Sequence, residues 1–194
     1  MGDYKGESYT KSIYYMKNSE YILYLDMDEV LSDFNGEYEE YYDALANQTL
    51  SITDFFANLD WTHNGKYLWK AVSKMFSDIR LLSTTNSDGE QHAESVAGKK
   101  LWAKKNLRTI PEDHVYVVEQ RCYKALYASE SSILVDDLSD TIREWESRGG
   151  IGVLHNDSYV ERTLAELDRI INPIKLGKIS KRLPVVTRGF WNRK

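Results

Sequence analysis

Acidic residues pair closely at two places in the chain, Asp26-Met27-Asp28 and Asp136-Asp137, with Asp140 three residues further on. Each pair follows a short apolar run, Tyr21 to Leu25 and Ile133 to Val135. Carboxylates this close repel and raise each other's pKa unless a cation separates them, so the spacing points to a metal or to an acid/base pair. Taken alone, Asp26 and Asp28 are equally well explained by a turn with two solvated Asp residues. Helix N-capping accounts for one carboxylate of the second group easily and for three less easily. Acidic residues at two strand ends of one sheet would form a hard-oxygen site suited to Mg²⁺. Ser83, Thr84 and Thr85 end another apolar run, and Lys124 lies twelve residues before Asp136. Hydroxyl and ammonium groups both suit phosphate, although each is commonplace by itself.

These residues need a scaffold that brings distant segments to one edge. Five short apolar segments read as strands: Tyr21 to Leu25, Ile79 to Leu82, Val115 to Val118, Ile133 to Val135 and Ile151 to Leu154. Each is continuous rather than alternating, as expected of central strands covered on both faces, and helical periodicity lies between them. The fold class is therefore α/β, a three-layer, Rossmann-like parallel sheet with helices on both faces. Ligands bind such sheets beyond the carboxyl ends of the strands. The stretch between the first two strands is far longer than a crossover helix needs, which predicts an insertion after the first strand. Within it, Tyr38, Tyr41, Tyr42 and Leu45 mark one amphipathic helix; Leu68, Trp69, Val72, Met75 and Phe76 mark a second that returns to the sheet. Ser139 or Asp140 can cap a helix carrying Ile142 and Trp145, which Gly149-Gly150 stops. Val160, Leu164, Leu167, Ile170 and Ile171 define a last helix ending near Pro173.

The resulting division is an N-terminal extension (1–20), a core (21–32 and 78–173), a helical insertion (33–77) and a basic tail (174–194). The tail carries seven Lys and Arg residues and no acid, so removing them from a total charge of −5 leaves −12 for the rest. An acidic body argues against nucleic acid as a partner. With 14 Tyr and 5 Trp the chain is too aromatic to be disordered, so most of it should fold. A single cysteine, Cys122, and an N-terminus without an apolar signal core fit a reducing, cytoplasmic setting, and no apolar run is long enough to span a bilayer. The sequence leaves the oligomeric state open.

In this order the segments resemble the haloacid dehalogenase superfamily: YLDMDEVLSDF, RLLSTT, Lys124 and ILVDDLSD stand where its four motifs stand. The resemblance spans roughly residues 21 to 171 and looks closest to the 5'-nucleotidase and deoxyribonucleotidase branch, including phage relatives. It is carried there by WTHNGKYLWK, GKKLWAKKNL, YKALYA and TIREWESRGGIGVLH. It implies an Mg²⁺-dependent phosphatase in which Asp26 is the nucleophile and Asp28 the acid and base. Asp26, the backbone carbonyl of Asp28, and Asp137 would hold the metal, with Asp136 and Asp140 as ligand or support; Ser83 or Thr84, together with Lys124, would bind the phosphoryl oxygens. The insertion would act as a cap, with Phe34, Phe56 and Trp61 as candidate contacts for the base of a nucleoside monophosphate.

Glu29 departs from the pattern, since the family usually has Gly there; it adds bulk and charge beside Asp28. A response-regulator receiver shares the chemistry but has another order, placing its phosphorylated Asp after the third strand, where Glu119-Gln120 stand here. A polynucleotide 3'-phosphatase, another small-metabolite phosphatase of the same type, and a non-catalytic binding protein on the same fold are the alternatives.

Overall fold

The computed structural model describes residues 17–36, 39, 47, 51–85 and 89–173. The helix expected over Tyr38 to Leu45, the first sixteen residues and the basic tail lie outside them. Five strands form one parallel sheet: β1 (Asn18–Leu25), β2 (Phe76–Thr84), β3 (Val115–Val118), β4 (Ser132–Asp136) and β5 (Ile151–Leu154), in the order β3-β2-β1-β4-β5. Each contains one of the five apolar runs. Leu25 is in register with Leu81 on one side and Val135 on the other.

Leu23, Leu25, Leu81, Ile133 and Val135 point to one face and Tyr24, Leu82 and Leu134 to the other, which explains why these strands are apolar without alternation. The first face is covered by α1 (Ile52–Asn58), α2 (Gly65–Met75), α3 (Gly89–Asn106) and α5 (Val160–Ile171) through Phe55, Leu68, Val72, Trp102 and Leu167. The second carries α4 (Ser139–Ser147), whose Trp145 packs edge-on against Tyr24 with ring centroids 5.4 Å apart. The result is a three-layer α/β fold. Among the described residues no helix is long and apolar enough to cross a membrane.

Two helix boundaries differ from expectation. Phe76, read from the sequence as helical, is extended (φ −118°, ψ 145°): α2 runs into β2 without a loop, so Phe76 is buried as the first strand residue. At α4 neither Ser139 nor Asp140 caps; Leu138 holds the cap position, its amide taken by Asp136 Oδ1 at 2.9 Å. A carboxylate from the strand end thus does the work of a cap. Gly149 ends this helix as expected, with φ of 88°.

Candidate active site

The sheet order makes the carboxyl end of β1 a switch point, because the chain leaves for β2 on one side and β4 lies on the other. The amide of Asp26 still pairs with Val135 O at 3.0 Å, so strand register alone sets Asp26 beside Asp136, the last residue of β4. Lys124 comes up from a 3-10 turn, Arg121–Tyr127, and its Nζ donates to Asp26 Oδ2 (2.9 Å) and Asp136 Oδ2 (2.8 Å). Burial by itself would lower the Lys124 pKa; the charges of Asp26 and Asp136 outweigh it and hold the ammonium above its ordinary value. The Asp136 carboxyl is raised too: burial and then Asp26 raise it, against the pull of Lys124.

Asp137 completes the group. One carboxylate oxygen from each of Asp26, Asp136 and Asp137 lies within 4.8 Å of the others. Both Asp136 oxygens already have partners, Lys124 and the Leu138 amide, whereas among the described residues the Asp137 carboxylate has only its own backbone amide. Burial, followed by the charges of Asp26 and Asp136, pushes the Asp137 carboxyl up to about 7. Three carboxylates facing one ammonium leave an excess of negative charge at a water-poor strand edge. A hard divalent cation removes that excess, so the donor set fits Mg²⁺, with Asp137 the oxygen donor least committed elsewhere.

A second cluster lies one turn away. Asp28 Oδ2 accepts from Lys99 Nζ at 2.5 Å, and the same ammonium donates to Ser83 Oγ at 2.9 Å and sits 4.8 Å from the centroid of the Phe56 ring. Ser83, the penultimate residue of β2, is completely buried on the Leu81 side of the pleat, while Thr84, the last, shares the side of Leu82. Ser83 is therefore the hydroxyl brought to Asp28. Lys99 was not among the residues expected here. In a segment with Lys100, Lys104 and Lys105 it looks like one more solvated charge; the available signal was its spacing, since Ser95, Gly98, Lys99, Trp102 and Ala103 form the buried stripe of α3.

The loop joining these clusters is tight. Met27 O accepts from the amides of Leu31 and Ser32, both at 2.8 Å, and Ser32 Oγ reaches Asp28 Oδ1 at 3.4 Å. Glu29 has φ of 60°, the left-handed region in which glycine is free of strain, and its Oε1 accepts the Asn35 amide at 2.8 Å. Residues 60–62 run alongside this loop: Thr62 N bonds Leu31 O at 3.0 Å and Asp33 N bonds Asp60 O at 2.9 Å.

The remaining expected residues divide by burial. Phe56 is buried and stacks on half-buried Phe34 with centroids 5.9 Å apart. Trp61 is half-buried, its indole N–H on Asn106 Oδ1 (3.2 Å) and its ring 4.9 Å from Trp102. Asp140 lies outside the carboxylate group, with its side chain 78% exposed and paired with Arg143. A groove of about 670 Å³ between α2 and α5, lined by Tyr67, Lys70, Lys74, Leu164 and Ile171, contains none of the reactive groups.

No protein-family model matches the chain, and no curated protein does. Solved structures do match in shape. A haloacid dehalogenase-like hydrolase of Burkholderia xenovorans aligns over 77% of this chain and 91% of its own, at 9% identity and a TM-score of 0.47. The HAD domain of the Legionella pneumophila effector protein Lem4 aligns over 79% of this chain and 98% of its own, at 15% identity and a TM-score of 0.39. An inactive mutant of that domain covers 85% and 100%, at 12% identity and a TM-score of 0.40.

Proposed function

We propose that this protein is an Mg²⁺-dependent phosphomonoesterase that acts through a phosphoryl group carried on Asp26, with nucleoside monophosphates as its substrates. The observation that carries this reading is the convergence of Asp26, Asp136 and Asp137 around Lys124 at the switch point, with Asp28 and Ser83 beside them. A carboxylate attacks a phosphate dianion only where positive charge offsets their repulsion. Lys124 supplies part of that charge, and Mg²⁺ held by Asp26, Asp137 and the Asp28 carbonyl would supply the rest.

The chain's own groups account for both half-reactions. An Asp26 oxygen forms a bond to phosphorus as the bond to the leaving oxygen breaks; that oxygen keeps the electron pair and takes a proton from the Asp28 carboxyl. Asp28, now a carboxylate, accepts a proton from water, whose oxygen attacks the same phosphorus. The bond to Asp26 breaks, its electrons return to the Asp26 carboxylate, and the net products are an alcohol and inorganic phosphate. Ser83 directs its hydroxyl proton toward a phosphoryl oxygen throughout.

Phe34 and Trp61 flank the loop that carries Asp28 and retain partly open rings. Base stacking contributes ~1–3 kcal/mol per base, so nucleoside monophosphates should exceed ribose 5-phosphate in kcat/KM by about ten- to a hundredfold. A phosphate-release panel of mononucleotides, sugar phosphates and 3'-phosphorylated oligonucleotides, run with Mg²⁺ and with chelator, tests both levels. Activity without divalent metal contradicts the metal assignment, and equal rates across the panel contradict the nucleotide assignment.

A further inference from the structure

Lys99, on the inward stripe of α3, is almost completely buried, 1% exposed, where a lysine needs a reason to be. It is not one of the four positions that carry the phosphatase chemistry in the sequence. Its ammonium donates two hydrogen bonds, to Asp28 Oδ2 and Ser83 Oγ, and lies over the face of Phe56. We infer that Lys99 is a positioning residue, which fixes the proton-carrying oxygen of Asp28 and the donor direction of the Ser83 hydroxyl at the same time.

The geometry gives each part of this a cause. With Oδ2 of Asp28 committed to the ammonium, Oδ1, which accepts only a long 3.4 Å hydrogen bond from Ser32 Oγ among the described residues, is the oxygen that exchanges a proton with the leaving group, and the side chain is 25% exposed. Ser83 accepts from Lys99, so its own hydrogen cannot point that way and must be given to another acceptor; a phosphoryl oxygen is the acceptor the reaction brings. One side chain thus aligns the group that serves the leaving oxygen with the group that serves the transferring phosphoryl. The ammonium is also held by packing: Gly98, next to it, lies so close to α1 that an added Cβ would be 2.5 Å from Thr53 O and 2.7 Å from Phe56 Cβ.

This inference rests on the phosphatase reading, and the test separates the two. Lys99→Met keeps an unbranched side chain one atom shorter and removes all its donors. The measured quantity is kcat/KM with Mg²⁺ for a nucleoside 5'-monophosphate, an alkyl ester whose leaving oxygen must be protonated, and for p-nitrophenyl phosphate, whose phenolate leaves without a proton. Loss of Asp28 alignment should cost the alkyl ester on the order of 100-fold and the aryl ester about tenfold. Lys99→Gln, which keeps an amide donor, should restore part of the alkyl rate; it also carries the comparison if the Met variant fails to fold. A wild-type protein that hydrolyses both esters, with variants that lose both equally or lose neither, overturns the positioning role alone. A wild-type protein inactive on both overturns the phosphatase reading, and the role of Lys99 with it.

Discussion

Glu29 occupies a left-handed backbone position that costs a non-glycine residue about 1–2 kcal/mol, and its side chain recovers part of this by accepting the Asn35 amide. Glu29→Ala keeps the backbone cost and loses the hydrogen bond, so it should destabilise by about 1 kcal/mol; Glu29→Gly relieves the backbone and should fall by less than the Ala variant. Urea unfolding of the pair checks the order, and a Gly variant less stable than Ala would contradict the account. At Asp137 the expectation concerns metal: Asp137→Asn should weaken Mg²⁺ binding about 10- to 100-fold by calorimetry, and unchanged affinity would move that role to Asp136. Residue types were legible wherever chemistry needed a rare arrangement. Two acidic pairs at strand ends announce themselves, as do Lys124 and the Ser83-Thr84 pair in order with them, between which the pleat alone chooses. Lys99 did not, because a buried lysine and a solvated one have the same letter, and its neighbours Lys100, Lys104 and Lys105 disguise it.

At the scale of elements, α1 and α3 approach through Gly98, where a methyl group would strike the backbone carbonyl of Thr53. Gly98→Ala should therefore destabilise by about 1–2 kcal/mol even though alanine is the better helix former by ~1 kcal/mol. A stabilised variant would mean that the helices can separate freely. Past the end of β5, His155 is buried, its Nδ1 on Thr163 Oγ1 at 2.9 Å and its Nε2 without a partner among the described residues, and burial holds its pKa below the ordinary value despite Asp157. The unfolded chain then binds a proton near pH 6.5 that the folded chain refuses. Its contribution to stability is complete above that pH and is lost as pH falls toward the lowered folded value, at up to ~1.4 kcal/mol per pH unit. Asp137 works with the opposite sign in metal-free protein, because its raised carboxyl takes up a proton on folding as pH falls through about 7. The His155 effect is thus read as the difference between wild type and His155→Gln at pH 7.5 and 5.5; parallel curves would contradict it. The strands were legible because burial on both faces writes unbroken apolar runs. Helix α1 was not, since seven residues hold too few turns for periodicity; its trace was the Ser51–Asp54 cap, in which Ser51 Oγ accepts the Asp54 amide at 3.0 Å. Helix caps at α4 were misleading because Asp136, from the neighbouring strand, supplied the acceptor.

The whole molecule concentrates negative charge at one edge of its sheet and meets it from within by two buried lysines, Lys99 and Lys124. Mg²⁺ binding the folded chain should add stability by mass action, about 2.7 kcal/mol at a hundredfold excess over Kd, seen as a rise in Tm that Asp137→Asn removes. A wild-type Tm indifferent to Mg²⁺ would contradict a metal site at this edge. A phosphoryl group carried on Asp26 can be caught by acid quench during turnover followed by mass spectrometry of the peptides. The expected result is a phosphoryl group on Asp26, removed by hydroxylamine and absent from Asp26→Asn. Steady turnover with no phosphorylated peptide, or with the label on Asp28, Asp136 or Asp137, would contradict it.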